Sequence, residues 1–336
     1  MAEVLEIPER PISTARRAGR YVITHENFAI GIALAVVMGV LGGISRGATL
    51  TPTNLANVLL QSSVRGVAAL GQAFVILTAN IDLSVAGVGV MTMMLGAAMM
   101  TTEWQNIVVA FLGHPASPAL ALPVMLIVAI CWGLLNGTLV TRLGIPSLIA
   151  TFGVWQIGYG VAYYVTRGEA LTELPRNLAV FGSLPAAPII FFSVAVVAYI
   201  VLNHTGAGRD IYAVGGNPVS SFLSGIKVKR TQTLVFIISG FLAGLAGIVF
   251  MSRNMAASIE GMRGLELDTI AAVTIGGVSL FGGRGNIVGV VIGAILIGVV
   301  NNAMSIMQMG HAGQFIVKGA IILAAVTIDI LRRRGR

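Results

Sequence analysis

Charge is what this chain most lacks. Asp, Glu, Lys and Arg make up only 10% of its 336 residues, against about 25% in a soluble domain. So few charges cannot cover a water-facing surface of that size, which excludes an ordinary soluble globular protein. Cysteine is nearly absent. Cys131, inside an apolar run, is the only one, so no internal disulfide or thiolate metal centre forms and packing is its expected role. The four histidines are scattered without ligand spacing, and no metal site is expected. Nothing matches the phosphate-binding loop Gly-x-x-x-x-Gly-Lys-Ser/Thr. No hydrolytic triad or acidic cluster stands out either, so no catalytic residue is assigned. No cleavable signal peptide is evident, since mixed charges precede the first apolar run.

What the chain does have is apolar length. Hydrophobic residues reach 56% and the mean hydropathy is +0.90. A membrane-spanning helix needs roughly 20 apolar residues, and ten segments qualify or nearly so: residues 28–44, 55–79, 83–101, 119–140, 145–165, 186–202, 231–251, 269–281, 286–307 and 313–330. The expected fold is therefore an all-α integral membrane protein with about ten transmembrane helices, the eighth either a short crossing or a half-helix. A tail (1–27) precedes the membrane domain (28–330), and a basic tail (331–336) closes the chain. The 42 glycines suit close helix approach in lipid. The run Met91, Met93, Met94, Met99 and Met100 reads as packing filler.

The net charge of +8 lies at helix ends, which suits orientation in a membrane and not nucleic acid. With the N-terminus placed inside, 14 basic residues fall in inside segments and five outside: Arg46, Arg167, Arg176, Arg253 and Arg263. Only Arg65 and Lys318 lie within segments. This split favours both termini in the cytoplasm.

Three places interrupt the apolar pattern. Asn80-Ile81-Asp82-Leu83-Ser84 separates the second and third segments, either as a cap at a tight turn or as a gating element, since carboxylates at membrane depth are costly and often functional. Residues 206–230 form a strongly basic stretch. Here Arg209, Asp210, Gly215, Gly216, Asn217, Pro218, Ser220 and Phe222 suggest a turn and then a short amphipathic helix on the membrane face, which is either a plain basic loop or a docking element for a soluble partner. Glu266 and Asp268 open the eighth segment. Gly276, Gly277, Gly282, Gly283 and Gly285 punctuate its second half and the connection to the ninth, for close packing or for an unwound pathway. Gln61, Gln72, Asn136, Gln156, Asn301 and Asn302 are amides in apolar runs. They either bridge helices or line a polar path, Gln72, Asn136, Asn301 and Asn302 being the candidates for the path.

A faint repeat links two of these places. Ile81-Asp-Leu-Ser-Val-Ala-Gly corresponds to Leu267-Asp-Thr-Ile-Ala-Ala-Val, and Gly133-Leu-Leu-Asn-Gly to Gly298-Val-Val-Asn-Asn. The members of each pair face opposite sides, as in an inverted repeat of segments two to five and seven to ten.

Three stretches also resemble one family. Ile76-Leu-Thr-Ala-Asn-Ile-Asp-Leu-Ser-Val, Ala213-Val-Gly-Gly-Asn-Pro-Val-Ser-Ser-Phe-Leu-Ser-Gly-Ile-Lys-Val and Leu267-Asp-Thr-Ile-Ala-Ala-Val-Thr-Ile-Gly-Gly-Val-Ser-Leu-Phe-Gly-Gly-Arg-Gly are similar to signatures of the bacterial ribose/xylose/arabinose-type ABC transporter permeases. The resemblance runs from Asn54 to Ile330. Ala79-Asn80 departs from the Gly-Gly common in the family.

The resemblance implies a homodimeric importer subunit of the bacterial inner membrane, with a fold similar to the vitamin B12-type importer. It implies a coupling segment at 206–230 contacting a separate cytoplasmic ABC ATPase, which carries ATP and Mg, and a periplasmic sugar-binding protein docking outside. The chain itself would hold no cofactor and do no bond chemistry. The expected cargo is a monosaccharide or related polyol. Nucleosides, furanone signals and amino acids are alternatives within the family, and an ion-coupled secondary transporter is the alternative outside it.

Overall fold

The computed structural model describes residues 26–101, 108, 112 and 114–334. The expected N-terminal tail, up to residue 25, and the last two residues of the C-terminal tail lie outside them. The main helices are α1 (Glu26–Ile44), α2 (Pro52–Leu77), α3 (Val85–Met100), α4 (Pro118–Thr141), α5 (Ser147–Thr166), α6 (Ala186–His204), α7 (Gly206–Gly216), α8 (Pro218–Leu223), α9 (Val228–Asn254), α10 (Leu265–Ile275), α11 (Ile287–Ile306) and α12 (His311–Arg334). Among the described residues the single non-helical pairing is an antiparallel bridge between Leu171 and Ala257. Among the described residues six helices (α2, α4, α5, α6, α9 and α11) are long and apolar enough to cross a bilayer. The protein is an all-α membrane protein.

Local signals explain where the helices begin. Thr51 caps α2 by accepting from the Asn54 N–H, with Pro52 in the first turn. Asn286 caps α11 in the same way, through Gly289. The eighth segment differs from the span 269–281. Its helix, α10, starts at Leu265 and stops at Ile275, because Gly277, Gly282, Gly283 and Gly285 all take positive φ (84°, 82°, 71° and 140°), which no helix accommodates. Eleven residues rise roughly 16 Å, about half the hydrocarbon thickness.

Burial sorts the helices into layers. In α3 every residue except Leu95 is buried, so this helix is apolar all round because it has no outer face. The apolar windows of α2 and α11 are 78% and 72% buried, whereas that of α4 is 22% buried. α4, α5 and α6 expose many of their apolar side chains, among them Ile127, Ile149 and Val197. Small residues allow the closest contacts. A Cβ on Gly240 of α9 would lie 2.5 Å from the Ala129 carbonyl oxygen of α4, and one on Gly133 would lie 2.5 Å from that of Phe236. Backbones that approach this closely gain the dispersion contacts that hold helices together in lipid.

The packing partners exchange between the two halves of the chain. α9 packs on α4 as α2 packs on α11, α9 on α3 as α2 on α10, and α3 on α5 as α10 on α12. The paired motifs also meet within each half. Asn136 reaches the Asp82 loop through Ser84, and Asn301 reaches Asp268.

Candidate functional site: a junction of three chain breaks

Residues 206–223 fold as two helices. Thr205 caps α7 by accepting from the Gly208 N–H, and α7 buries Gly208, Ile211, Val214 and Gly215 along one face. Asn217 then breaks the helix in an extended conformation. Its side chain accepts from the Ser220 N–H at 3.0 Å to start α8, with Pro218 in the first turn. Val219, Phe222 and Leu223 are 69–78% exposed. Arg209, Gly216, Pro218 and Ser220 are exposed beside them, and Asp210 is half-buried. The expected turn before α8 is in fact the end of α7, whose glycines hide its 3.6-residue pattern.

That end meets both other breaks. The Gly283 N–H donates to the Leu77 carbonyl at 2.9 Å, joining the 276–286 loop to the end of α2. Gly215 packs between them so tightly that a Cβ would overlap the Leu77 carbonyl oxygen, while a Cβ on Gly216 would enter open space, although the Gly216 backbone lies against Gly283. The Tyr212 hydroxyl donates to the Gly285 carbonyl at 2.8 Å, and burial pushes this phenol above its ordinary pKa, so it stays a donor. Ala79 sits at φ 59°, a left-handed conformation that costs an L-residue about 1–2 kcal/mol. It is held there by the Ala79 N–H to Ile76 carbonyl bond and by the Asn80 N–H reaching back to Val75. Asn80 Nδ2 donates to the Thr78 carbonyl at 3.0 Å.

Asp82 is 1% exposed and pins this loop to three helices. Its Oδ1 accepts from the Ser84 N–H (2.8 Å) and Oγ (2.6 Å), and its Oδ2 accepts from Ser239 Oγ of α9 at 2.7 Å. Asn136 of α4 donates to Ser84 Oγ at 2.6 Å. Gln72, with its amide oriented to satisfy both groups, donates to the Asp82 carbonyl (2.9 Å) and accepts from its N–H (3.2 Å). The Ile81 and Leu83 N–H groups donate to Ser147 and Thr151 of α5. Asp82 thus closes a local turn onto Ser84, ahead of α3, and is also a long-range anchor.

Away from the junction, roughly 18 Å along α2 from Leu77 at 1.5 Å per residue, a second network forms around Asp268. Arg65 Nε donates to its Oδ2 at 3.1 Å, Lys318 Nζ lies 2.9 Å from its Oδ1, and Asn301 Nδ2 donates at 3.1 Å. Glu266, half-buried, leaves Oε2 without a hydrogen-bond partner. Asn302 exchanges two bonds with Asn54 (2.8 and 2.9 Å). The four amides suggested for a path are therefore buried and hydrogen-bonded to protein groups, although Asn136 Oδ1 has no hydrogen-bond partner among the described residues. Gly276 packs against Gly289, and Gly277 makes the turn at the end of α10.

Residues 54–326 match the family described as branched-chain amino acid transport system / permease component. The chain belongs to that permease family. It is 34% identical to the ribose import permease protein RbsC of Haemophilus influenzae, over 93% of this chain and 94% of that protein. It is 36% identical to RbsC of Escherichia coli, over 89% and 92%. Identity to the D-allose transport system permease protein AlsC of E. coli is 32%, over 95% and 96%. No solved structure is significantly similar to the chain.

Several contributors in this permease escape sequence reasoning. Ser239, Thr151 and Ser147 look like ordinary small residues in apolar helices, and only the fold brings them to the Asp82 loop. Tyr212 carries no signal of its own. Arg65 and Lys318 do, because cations inside apolar segments need a counter-ion, and Asp268 is that counter-ion.

Proposed function

We propose that this permease is the membrane subunit of an ATP-driven ABC importer of the bacterial inner membrane that moves a monosaccharide or related polyol into the cell. The names of its relatives, which include ribose, D-allose, xylose and galactose importers, support the cargo class. Two copies form the pathway, each with ten membrane segments in an inverted repeat, α10 being a half-helix, in a fold similar to the vitamin B12-type importer. Both termini are cytoplasmic. A periplasmic sugar-binding protein delivers the solute, and a separate ATPase binds ATP and Mg.

The observation that carries this reading is the junction of α7 with the breaks after α2 and α10. α8 presents Val219, Phe222 and Leu223 to the cytoplasm, where a groove of the ATPase receives them. When ATP closes the ATPase pair, the push reaches α7. Because α7 touches Leu77 and Gly283 and holds Gly285 through Tyr212, the displacement enters both repeats together. Asp82 and its hydroxyl donors move with α3, α4 and α9 as one body, built from both repeats, and it rocks against the body of α2, α10 and α11 between inward- and outward-open states. The ion-coupled alternative loses its two intramembrane cations as free groups, because Arg65 and Lys318 are both paired with Asp268.

Affinity purification of the chain from its native membrane is expected to bring down a stoichiometric P-loop ATPase. Phe222→Asp should lose that ATPase while remaining inserted, because a charge cannot enter an apolar groove. A chain that purifies alone and transports in vesicles without ATP would sink the proposal.

A further inference from the structure

At the end of the bundle away from α7 and α8, a half-open cavity of about 120 Å³ is walled by Gln61, Arg65, Arg253, Arg263, Asp268 and Lys318, among others. Its charges do not balance. Asp268 is the acidic group of the wall, and Arg65 and Lys318 share it. Arg263 pairs with the exposed Glu260 at 2.8 Å. Arg253, at the last turn of α9, has no hydrogen-bond or ion-pair partner among the described residues, and it lies close enough to Arg65 for the two cations to repel. Four cations therefore face three carboxylates, Asp268, Glu260 and, just outside the wall but within electrostatic reach of Lys318 and Arg263, Glu266, leaving one positive charge uncompensated, on Arg253.

Solvent reaching a half-open cavity screens such an excess only in part, so the cavity attracts whatever neutralises it. Nothing in the wall does. A bound anion would, and guanidinium groups suit carboxylate and phosphate by bidentate hydrogen bonding. Gln61 adds a different chemistry. Its side-chain amide has no protein partner among the described residues and offers both a donor and an acceptor to hydroxyl groups.

We infer that this cavity is a subsite for an anionic group, carboxylate or phosphate, carried on a hydroxylated solute of monosaccharide size. The inference rests on the importer reading and narrows its cargo from a neutral sugar to an acidic one. Asp268 then keeps Arg65 and Lys318 in place, and Arg253 is the cation left to meet the ligand.

The test uses the full chain in nanodiscs of zwitterionic lipid, titrated calorimetrically with gluconate, ribose 5-phosphate and ribose. At least one anion is expected to bind about tenfold more tightly than ribose, and more weakly as salt rises. Arg253→Gln should lose about tenfold in that affinity, whereas Arg253→Lys keeps the charge and should lose less. A preference between gluconate and the phosphate ester assigns the anion. Ribose binding as tightly as either anion, no binding of either anion, or an Arg253→Gln chain with unchanged anion affinity would each overturn the inference. The importer reading fails by a separate route: no ATPase accompanies the chain. If an ATPase accompanies it and only neutral sugars stimulate ATP turnover, that reading stands and the acidic cargo falls.

Discussion

Two adjacent glycines separate what sequence position alone cannot. Gly215 and Gly216 look equivalent in the chain, yet only Gly215 lies against the Leu77 carbonyl and the Gly283 N–H, and Gly216 has open space where a side chain would go. Adding one methyl group at Gly215 forces backbone apart, and overpacking typically costs about 1–3 kcal/mol. Gly215→Ala should therefore lower the melting temperature of the purified complex and uncouple ATP hydrolysis from uptake. Gly216→Ala should leave both near the parent values. Equal effects of the two substitutions would mean that α7 does not bear on α2 as described. The same scale explains the Asp82 loop. A buried carboxylate needs donors, and it takes them from Ser84 and Ser239. That need is legible from Asp82 itself, but which hydroxyls answer it is not, because serines and threonines in apolar helices usually bond their own turn. Thr141 and Thr92 do so here.

At the scale of elements, the apolar runs announce their helices because lipid-facing and core-facing segments both need continuous apolar sequence. The runs 119–140 and 186–202 fall inside α4 and α6. Two elements are less visible. α7 is short and glycine-rich, and its apolar face is only Ile211 and Val214 between small residues, so it reads as loop. α10 ends early because the decisive signal is positive φ at glycines, and sequence shows the glycines but not which of them turn. The contact between these two elements gives a sharp prediction. Tyr212→Phe keeps the ring packed and removes only the donor to Gly285, a net loss of about 1 kcal/mol. The variant should insert, dimerise and bind the ATPase normally, yet hydrolyse more ATP per solute moved. A ratio unchanged from the parent in reconstituted vesicles would show that Gly285 is not where α7 transmits its motion.

For the whole molecule, the exchange of packing partners between halves fits two repeats inserted in opposite senses, a relation hard to see in sequence because the matching positions carry different partners. Asp82 is held by hydroxyls and Asp268 by two cations, so the two aspartates of the paired motifs are held by unlike chemistry. The hydroxyl-bound site lies by α7, and the ionic site lies by the end of the bundle that would receive the solute. This assignment of ends is part of the proposal and depends on the charge asymmetry of the connections, which favours α8 inside and the 255–264 connection outside. Labelling with a membrane-impermeant maleimide tests it directly. Cys131 is exposed and must first be replaced by serine. In that background Ser224→Cys, next to α8, should react only after the membrane is permeabilised, and Glu260→Cys, exposed beside Arg263, should react in intact spheroplasts. The reverse pattern would turn the molecule over, placing the coupling helices outside and removing the ATPase from reach.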